Sequence, residues 1–245
     1  MPLSILLNGY QGRMGQAIAA AAPGAGVVIA RRLDAGDALN APAFAGVKAA
    51  VDFSSHEATA PFVRLAAENK VPVVIGTTGH TAAERKEITA FAKKIPIVWA
   101  GNYSVGVTLL NFLAQRAATV LNSGYNVEIV EMHHRDKKDA PSGTAEKLIE
   151  IVREARKLAA GSVVHGRHGL VGARPVDQIG VHALRGGDVV GDHTVIFAGN
   201  GERLELTHKA SSRAIFASGA LLAAQWVVLQ KPGLYGMDDV LGLKS

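Results

Sequence analysis

Short apolar runs alternate with segments of helical periodicity along the first hundred residues of the chain. Five runs have the length and composition of strands, and they cover residues 3–7, 27–30, 49–53, 71–75 and 95–100. Helices are predicted between them over residues 13–22, 56–69 and 81–94. Pro61 favours a start of the second helix nearer Thr59, because proline fits best in a first turn. Strands and helices that alternate in this way predict an α/β fold, a Rossmann-like doubly wound parallel sheet.

The pattern changes after a further predicted helix over residues 105–121. A strand over residues 126–132 and a helix from about Ser142 to Ala159 come first, and three strand-like runs follow over residues 179–184, 189–198 and 203–208. Gly186-Gly187 and Gly199-Asn200-Gly201 separate those runs, and both are hairpin signals. An antiparallel meander of this kind predicts a smaller α+β domain.

The apolar run over residues 214–229 is predicted to be a buried helix that returns to the first domain. The predicted domains are therefore residues 1–104 together with 214–245, and residues 105–213. With 245 residues, of which 48% are hydrophobic, the chain is long enough for two modest domains with sizeable cores.

Composition excludes several kinds of site. The chain has no cysteine, which excludes disulfides, thiolate metal sites and cysteine nucleophiles and fits the cytoplasm. The first residues lack the basic and apolar regions of a signal peptide, and no apolar run is long enough to cross a bilayer, so no membrane association is predicted. Five histidines at irregular spacing predict no metal site: His165, His168, His182, His193 and His208.

The net charge of +5 leaves two interpretations open. It either serves solubility or attracts an anionic ligand. Because the basic residues are scattered and have no interleaved aromatic residues, no nucleic-acid partner is predicted.

Three glycines follow the first predicted strand and open a helix. They stand at Gly9, Gly12 and Gly15, so the spacing is G-x-x-G-x-x-G where the usual dinucleotide fingerprint is G-x-G-x-x-G. Glycine lets the backbone turn tightly and approach a pyrophosphate, while the helix N-terminus faces the negative charge. A tight strand–helix turn needs glycine for its own sake, so the pattern alone leaves cofactor binding and turn geometry open.

An acid suited to a ribose hydroxyl follows the second predicted strand. Asp34 lies about 20 residues after the glycines, where dinucleotide-binding folds carry such an acid. The alternative interpretation is that Asp34 is an ordinary loop residue exposed to solvent. Arg31 and Arg32 lie close enough to neutralise a 2′-phosphate, so the local sequence leaves NAD and NADP open.

Ligands of such sheets bind at the carboxyl ends of strands, where four turns are predicted at Gly9, Phe53, Gly76 and Gly101.

The densest candidate chemistry lies between residues 126 and 144. A mostly apolar strand runs into a cluster of basic side chains: His133, His134, Arg135, Lys137 and Lys138. Asp139-Ala140-Pro141 ends regular structure, and Ser142 is the predicted N-cap of the next helix. A helix N-terminus beside cations binds anions, and imidazole titrates near neutral pH. The segment therefore predicts a pocket that holds a carboxylate or phosphate and moves a proton beside it.

These features together resemble the 4-hydroxy-tetrahydrodipicolinate reductase (dihydrodipicolinate reductase) family over essentially the whole chain. The most specific run is Glu131-x-His133-His134-Arg135-x-Lys137-x-Asp139-Ala140-Pro141-Ser142-Gly143-Thr144. Two further runs add to the resemblance, Gly186-Gly187-Asp188-x-x-Gly191-x-His193-Thr194 and Thr207-His208-x-Ala210-Ser211-Ser212-Arg213.

The resemblance implies a two-segment nicotinamide domain that flanks a substrate-binding and tetramerisation domain. It implies that NADH, NADPH or both reduce a small cyclic, unsaturated dicarboxylate, with loss of water from the 4-hydroxy substrate, in the diaminopimelate route to lysine. It also implies a cytoplasmic homotetramer.

Particular residues carry these implied roles. His133 is implied as proton donor or acceptor, and Lys137 as proton donor. The implied carboxylate holders are His134, Lys137, Ser142, Gly143 and Thr144. The implied cofactor contacts are Gly9, Tyr10, Gln11, Gly12, Arg13, Met14, Asp34, Gly76, Thr77, Thr78, Ala100, Gly101, Asn102 and Tyr103.

Two positions depart from the family pattern. Ala35 stands where some members that use NADPH well carry arginine directly after the ribose acid, which favours NADH or dual use. Tyr103 stands where phenylalanine is common. Two other classes of protein fit the residues: a different two-domain NAD-dependent oxidoreductase of a small amino or dicarboxylic acid, and a non-catalytic nucleotide-sensing module.

Overall fold

The structure is a computed structural model and describes residues 2–244. The chain divides into two units, one that joins the residues up to Val105 with those from Arg213 onward, and one over residues 106–212. Among the residues described, none of the helices combines the length and the apolar character that a membrane crossing requires.

A six-stranded parallel sheet forms the first unit. Its strands are β1 (Leu3–Asn8), β2 (Val27–Leu33), β3 (Ala49–Asp52), β4 (Val73–Ile75), β5 (Pro96–Trp99) and β11 (Gly233–Tyr235). They stand in the order β11-β5-β4-β3-β1-β2, and every pairing is parallel. The helices of this unit are α1 (Arg13–Ala21), α2 (His56–Glu68), α3 (Ala82–Phe91), α6 (Ala214–Val227) and α7 (Met237–Val240). The predicted doubly wound sheet is confirmed.

Strand β3 shows why its sequence is apolar throughout. All four of its residues are buried. Val51 packs in a core that contains side chains of α1 and α6, whereas Ala50 packs in a second core with side chains of α2 and α3. A parallel strand covered on both faces needs apolar residues at successive positions.

The later start predicted for the second helix is wrong. Helix α2 begins at His56, and Pro61 lies inside it. A proline removes the hydrogen bond from its own nitrogen to the carbonyl four residues earlier. Here that carbonyl belongs to Glu57, an exposed residue of the first turn, where water can replace the lost bond.

A mixed five-stranded sheet forms the second unit. Its strands are β6 (Asn126–His133), β7 (Val163–His165), β8 (Ile179–Arg185), β9 (Gly191–Ala198) and β10 (Arg203–Ala210), in the order β10-β9-β6-β8-β7. Helices α4 (Val105–Val120) and α5 (Gly143–Arg156) accompany it. Their buried side chains share one core with Val127 and Ile129 of β6. Because side chains alternate along a strand, Glu131 and His133 lie on this same covered face.

One of the two predicted hairpins is wrong. Strand β8 runs parallel to β6, and β9 pairs antiparallel with β6 and β10, so β6 lies between β8 and β9. Gly186-Gly187 makes a turn against the end of β6, where the Gly186 N–H donates to the His133 carbonyl at 2.9 Å. The hairpin at Gly199-Asn200-Gly201 is confirmed by the β9–β10 pairing. Strand β7 lies in a segment for which no strand was predicted.

Candidate active site

The glycine loop between β1 and α1 leaves no room for side chains at two positions. Gly9 has φ +80, and a Cβ there would lie 2.2 Å from the carbonyl oxygen of Phe53. A Cβ at Gly15 would lie 2.2 Å from the carbonyl oxygen of Gly9. Gly12 is the N-cap of α1 and supplies no side-chain cap. The N–H groups of Gly9 and Tyr10 donate to the Leu33 carbonyl and that of Gly12 to the Gly9 carbonyl. The N–H groups that a pyrophosphate would meet are therefore those of the first turn of α1, from Arg13 onward.

Asp34 lies against this loop, at the end of β2. Its carboxylate accepts hydrogen bonds from the N–H of Gln11 at 2.5 Å and of Ala35 at 2.8 Å. The guanidinium of Arg32 stacks over the Tyr10 ring at 4.3 Å. The acid, the glycine loop and an arginine are therefore brought together at one edge of the sheet.

The remaining predicted cofactor residues of the loop differ in exposure. Gln11, Gly12 and Arg13 are exposed. Tyr10 and Met14 are partly buried against the core that contains α1 and α6, and Ala100 packs against the same core. The exposed positions are those at which a ligand can meet the backbone.

A buried carboxylate that the sequence analysis missed organises the same edge. Asp52, at the end of β3, is 0% exposed. It accepts hydrogen bonds from Asn8 Nδ2 at 2.7 Å, Ser54 Oγ at 2.6 Å, Thr59 Oγ1 at 2.7 Å and Thr77 Oγ1 at 2.9 Å. One side chain therefore ties together the carboxyl ends of β1 and β3 and the loop after β4. A single polar residue at the end of an apolar strand was the only signal in the sequence.

A pocket of about 210 Å³ lies at the ends of β4, β5 and β11. It is lined by Thr77, Thr78, Arg85, Trp99, Gly101 and Leu234, three of which are predicted cofactor contacts. Gly76 precedes it, and a Cβ there would meet the Phe53 ring at 2.1 Å. The structure thus places the glycine–threonine turn after β4 beside an open space.

The side chains of Tyr103 and Asn102 form hydrogen bonds to backbone groups of their own unit. The Tyr103 hydroxyl donates to the carbonyl of Ile75 at 2.7 Å and of Val98 at 3.2 Å, and burial raises the pKa of this phenol. The side-chain oxygen of Asn102 accepts from the Ser104 N–H at 2.8 Å. These two residues shape the loop after β5 on which Gly101 is exposed.

His133 is held by a buried ion-paired carboxylate in the second unit. Its Nδ1 lies 2.5 Å from Glu131 Oε2, and Glu131 is 0% exposed. Arg185 donates to both oxygens of Glu131, at 2.9 Å and 3.0 Å. Burial alone would raise the pKa of Glu131, but the hydrogen bonds from Arg185 and His133 outweigh it and the pKa lies below its ordinary value.

A second imidazole packs against His133. The rings of His133 and His193 are 5.1 Å apart and meet edge to face. Burial first, and then the charge of His133, lowers the pKa of His193 to about 4, so His193 is neutral near neutral pH. Its Nε2 lies 2.9 Å from Ser142 Oγ. Sequence reasoning missed this pairing, because 51 residues separate the two side chains.

Ser142 is confirmed as the N-cap of α5. Its hydroxyl accepts from the Ala145 N–H at 3.3 Å, and its own N–H donates to Glu131 Oε1 at 3.2 Å. Gly143 is exposed and Thr144 is half-buried. The polar groups of Ser142 are therefore engaged inside the unit, and the outward part of this turn is Gly143 and Thr144.

Lys137 and His134 lie on the loop between β6 and α5. The ammonium of Lys137 is 2.9 Å from both oxygens of Asp139, and this hydrogen bond lowers the pKa of Asp139. His134 is half-buried, and its carbonyl accepts from the Lys137 N–H at 3.2 Å. Arg135 and Lys138 are exposed. Within residues 2–244 no three acidic or imidazole side chains are grouped as a metal site would need.

Comparison with known proteins accounts for both units. The N-terminal dihydrodipicolinate reductase domain matches residues 3–103, and the C-terminal domain matches residues 106–241. The 4-hydroxy-tetrahydrodipicolinate reductase of Akkermansia muciniphila is 55% identical over 99% of each chain. That of Thiobacillus denitrificans is 48% identical and covers 100% of both chains.

A solved structure agrees with these matches. The dipicolinate-bound dihydrodipicolinate reductase of Paenisporosarcina sp. TG-14 superposes with a TM-score of 0.83 at 26% identity, over 98% of this chain and 99% of that one. The comparisons favour this family over another oxidoreductase or a nucleotide sensor. The chain belongs to the dihydrodipicolinate reductase family and is an oxidoreductase that uses NADH or NADPH to reduce 4-hydroxy-tetrahydrodipicolinate, with loss of water, in the diaminopimelate pathway of lysine biosynthesis.

Proposed function

We propose that the residues around His133 bind the dicarboxylate and transfer a proton to it, and that the edge of the parallel sheet holds the nicotinamide cofactor. Residues 105–213 then form the substrate-binding and oligomerisation domain, and residues 1–104 with 214–245 form the dinucleotide-binding domain. The observation that carries the proposal is the buried Glu131–His133 pair beside the N-terminus of α5. The loop between β6 and α5 carries a lysine, and it joins a strand that ends in a histidine to the N-terminus of a helix.

The cofactor supplies a hydride, and the protein must supply the proton and the orientation. The reaction consumes one hydride and one proton and releases one water, so the carbon skeleton is reduced by two electrons. His133 is the proposed general acid, since an imidazole titrates in the range in which proton transfer is most effective at neutral pH. Lys137 is the proposed second proton donor.

The substrate carboxylates replace contacts that the protein makes to itself. Asp139 neutralises Lys137 at 2.9 Å and is itself exposed, so a substrate carboxylate can take its place without leaving a charge unpaired. The N–H groups of Gly143 and Thr144 and the side chain of His134 are proposed to hold the same ligand. Ser142 acts by fixing the turn, because its own hydroxyl and N–H are bonded to His193, Ala145 and Glu131. The dipicolinate of the Paenisporosarcina neighbour supports a planar dicarboxylate as the ligand class.

The dinucleotide is proposed to lie over the glycine loop. Its pyrophosphate lies along Gly9 to Met14 and meets the N–H groups at the start of α1, because those of Gly9 and Gly12 are bonded within the protein. Asp34 meets the adenosine ribose, and the nicotinamide end meets the segments Gly76 to Thr78 and Ala100 to Tyr103. The exposed backbone at Gly12, Thr78 and Gly101 supports this path.

The reaction and its cofactor preference are tested in one assay. The substrate is generated from pyruvate and aspartate semialdehyde by the preceding synthase, and loss of reduced-nicotinamide absorbance is followed with NADH and with NADPH. Because Ala35 offers no cation to a 2′-phosphate, we expect the wild type to use NADH at least as well as NADPH. Ala35→Arg should raise the NADPH-to-NADH ratio of kcat/KM about tenfold, the effect of one charge-assisted hydrogen bond.

Ala38→Arg is the matched control for that variant. Ala38 is exposed like Ala35 and lies three positions further along the same loop, so it adds the same charge without following Asp34 directly. An equal shift in both variants would assign the effect to net charge and not to position 35. No oxidation of either cofactor by the wild type would contradict the proposed function.

A cytoplasmic homotetramer is proposed from the family, and the second sheet supports the assembly. Helix α5 packs on the face that carries Val127 and Ile129. The opposite face presents half-buried or exposed apolar side chains, Val130, Met132, Leu184 and Ile196, beside the ion-paired group around Glu128. Apolar side chains bordered by paired charges are suited to pack against another copy of the chain.

Sedimentation tests this assembly. The wild type should sediment as a tetramer, and Val130→Glu should give smaller species because it places an unpaired charge among these apolar side chains. Val28→Glu, on the exposed surface of β2, is the control and should leave the sedimentation unchanged. A monomeric wild type would contradict the proposal.

A further inference from the structure

We infer that Glu131, anchored by Arg185, positions His133 so that its Nε2 atom exchanges the proton with the substrate, and that Gly191 leaves the room which this position of the ring requires. Glu131 and Arg185 are positioning residues in this view, and the inference rests on the proposed acid role of His133.

The short contact between Glu131 and His133 fixes which ring nitrogen carries the structural proton. An ionised carboxylate only accepts hydrogen bonds, so Nδ1, at 2.5 Å from Glu131 Oε2, must be the donor. Proton exchange is then confined to Nε2. The same contact holds the plane of the ring, since Glu131 and His133 alternate on one face of β6 and both are buried.

Arg185 keeps Glu131 ionised and immobile. Its guanidinium bonds both carboxylate oxygens, and its Nη2 also donates to the Asp139 carbonyl at 2.7 Å. A forked pair of this kind defines orientation as well as charge. The arginine thereby links the position of His133 to the loop that carries Lys137.

Gly191 leaves room for the His133 ring. A Cβ at this position would lie 2.9 Å from His133 Nε2 and 3.4 Å from its Cδ2. Gly191 begins the regular strand β9, where any residue can adopt the backbone conformation, so the glycine serves space and not conformation. A side chain here would press on the nitrogen that the tautomer leaves for exchange, and the ring would have to shift.

The neighbouring imidazole does not compete for this role. His193 packs edge-on against His133, its Nε2 is bonded to Ser142, and its pKa of about 4 keeps it neutral near neutral pH. The charged or titratable groups that face the two rings are Glu131 of β6, Arg185 of β8, His208 of β10 and Lys137 of the loop. Of these, Glu131 is the one bonded to His133.

Two variants of the full-length enzyme test the inference. In Glu131→Gln the amide can donate to Nδ1 and favour the opposite tautomer. We expect kcat to fall about 10-fold to 100-fold, less than the full contribution of a general acid, with KM for NADH unchanged. Ring ¹⁵N NMR of His133 reports the tautomer without reference to activity.

Gly191→Ala is the second variant. It should lower kcat by at least 10-fold while His133 keeps its Nδ1–H tautomer, because the added methyl presses on Nε2 and shifts the ring but leaves Glu131 in place. The matched control is Gly161→Ala, whose Cβ would meet nothing within 4 Å.

Glu128→Gln is the control for the acid. Glu128 lies three residues earlier on the opposite face of β6 and also bonds a histidine and two arginines, His182, Arg167 and Arg174. It should leave the tautomer of His133 and kcat unchanged. An unchanged His133 tautomer in Glu131→Gln would overturn the inference. Full activity of His133→Ala would instead overturn the proposed acid role, while the ¹⁵N spectra would still decide whether Glu131 sets the tautomer.

Discussion

Replacement of His133 by alanine is expected to lower kcat by about 100-fold to 10,000-fold, the range that a positioned general acid contributes. The variant removes the imidazole but leaves Glu131 paired with Arg185, so no isolated charge remains in the core. NADH affinity should hold, because the glycine loop, Asp34 and the turn at Thr77 all belong to the first unit. Initial rates and equilibrium titration with NADH separate the two quantities.

Lys137→Ala is expected to act on both kinetic constants. Loss of the ammonium removes a charge-assisted bond to a substrate carboxylate, so KM for the substrate should rise at least 10-fold. Loss of the second proton donor should lower kcat as well. A rise in KM with kcat unchanged would restrict Lys137 to binding.

Matched controls are available for both positions. Lys138 is exposed and adjacent in sequence, and His165 is an exposed histidine of β7. Alanine at either position should leave both constants within about twofold of the wild type, as for surface residues away from a site. His133→Ala with wild-type kcat would contradict the proposed role of the imidazole.

The sequence predicts those parts of the fold that depend on residues close together along the chain. Apolar runs such as residues 49–53 predict strands buried on both faces, because successive side chains enter opposite cores. Ser142 is predictable as an N-cap, since its hydroxyl serves an N–H only three residues away. The spacing of Asp34 from the glycines likewise predicts its place beside the loop.

Strand pairing and long-range polar contacts were harder to predict. Gly186-Gly187 predicts a turn correctly, but β8 and β9 do not pair with each other across it. Strand β6, more than fifty residues earlier in the chain, lies between them. The bond between Ser142 and His193 has the same long-range character. Glu131 is different, since its spacing of two from His133 on a predicted strand already places both on one face. That signal was available and was missed.

Asp52→Ala is expected to destabilise the first unit by on the order of 3–5 kcal/mol, because four hydroxyl or amide donors would lose their shortest acceptor. Each of them keeps a longer contact to a second acceptor, so the loss stays below that of four donors without any partner. The donors come from the ends of β1 and β3, from α2 and from the loop after β4. Their loss should therefore disturb more than one element at once. Thermal or denaturant unfolding of the full chain measures the change.

The same variant should weaken cofactor binding, and this separates Asp52 from an ordinary core residue. Thr77 lines the pocket at the end of β4 and is held by Asp52 at 2.9 Å, so its hydroxyl loses its fixed position when the carboxylate is removed. Asp52→Asn keeps the size and one acceptor oxygen but turns an amide NH₂ donor towards the other donors, and it should be destabilised less than the alanine variant.

Glu87→Ala is the matched control for a lost carboxylate in the same unit. Glu87 pairs with Arg64 at the surface, where an ion pair contributes at most about 1 kcal/mol. If the free energy of unfolding fell by no more than about 1 kcal/mol in Asp52→Ala, water would be replacing the carboxylate, and Asp52 would not be needed to hold these elements together. A large loss of stability together with weaker NADH binding would identify Asp52 as the residue that holds the cofactor edge of the sheet in register.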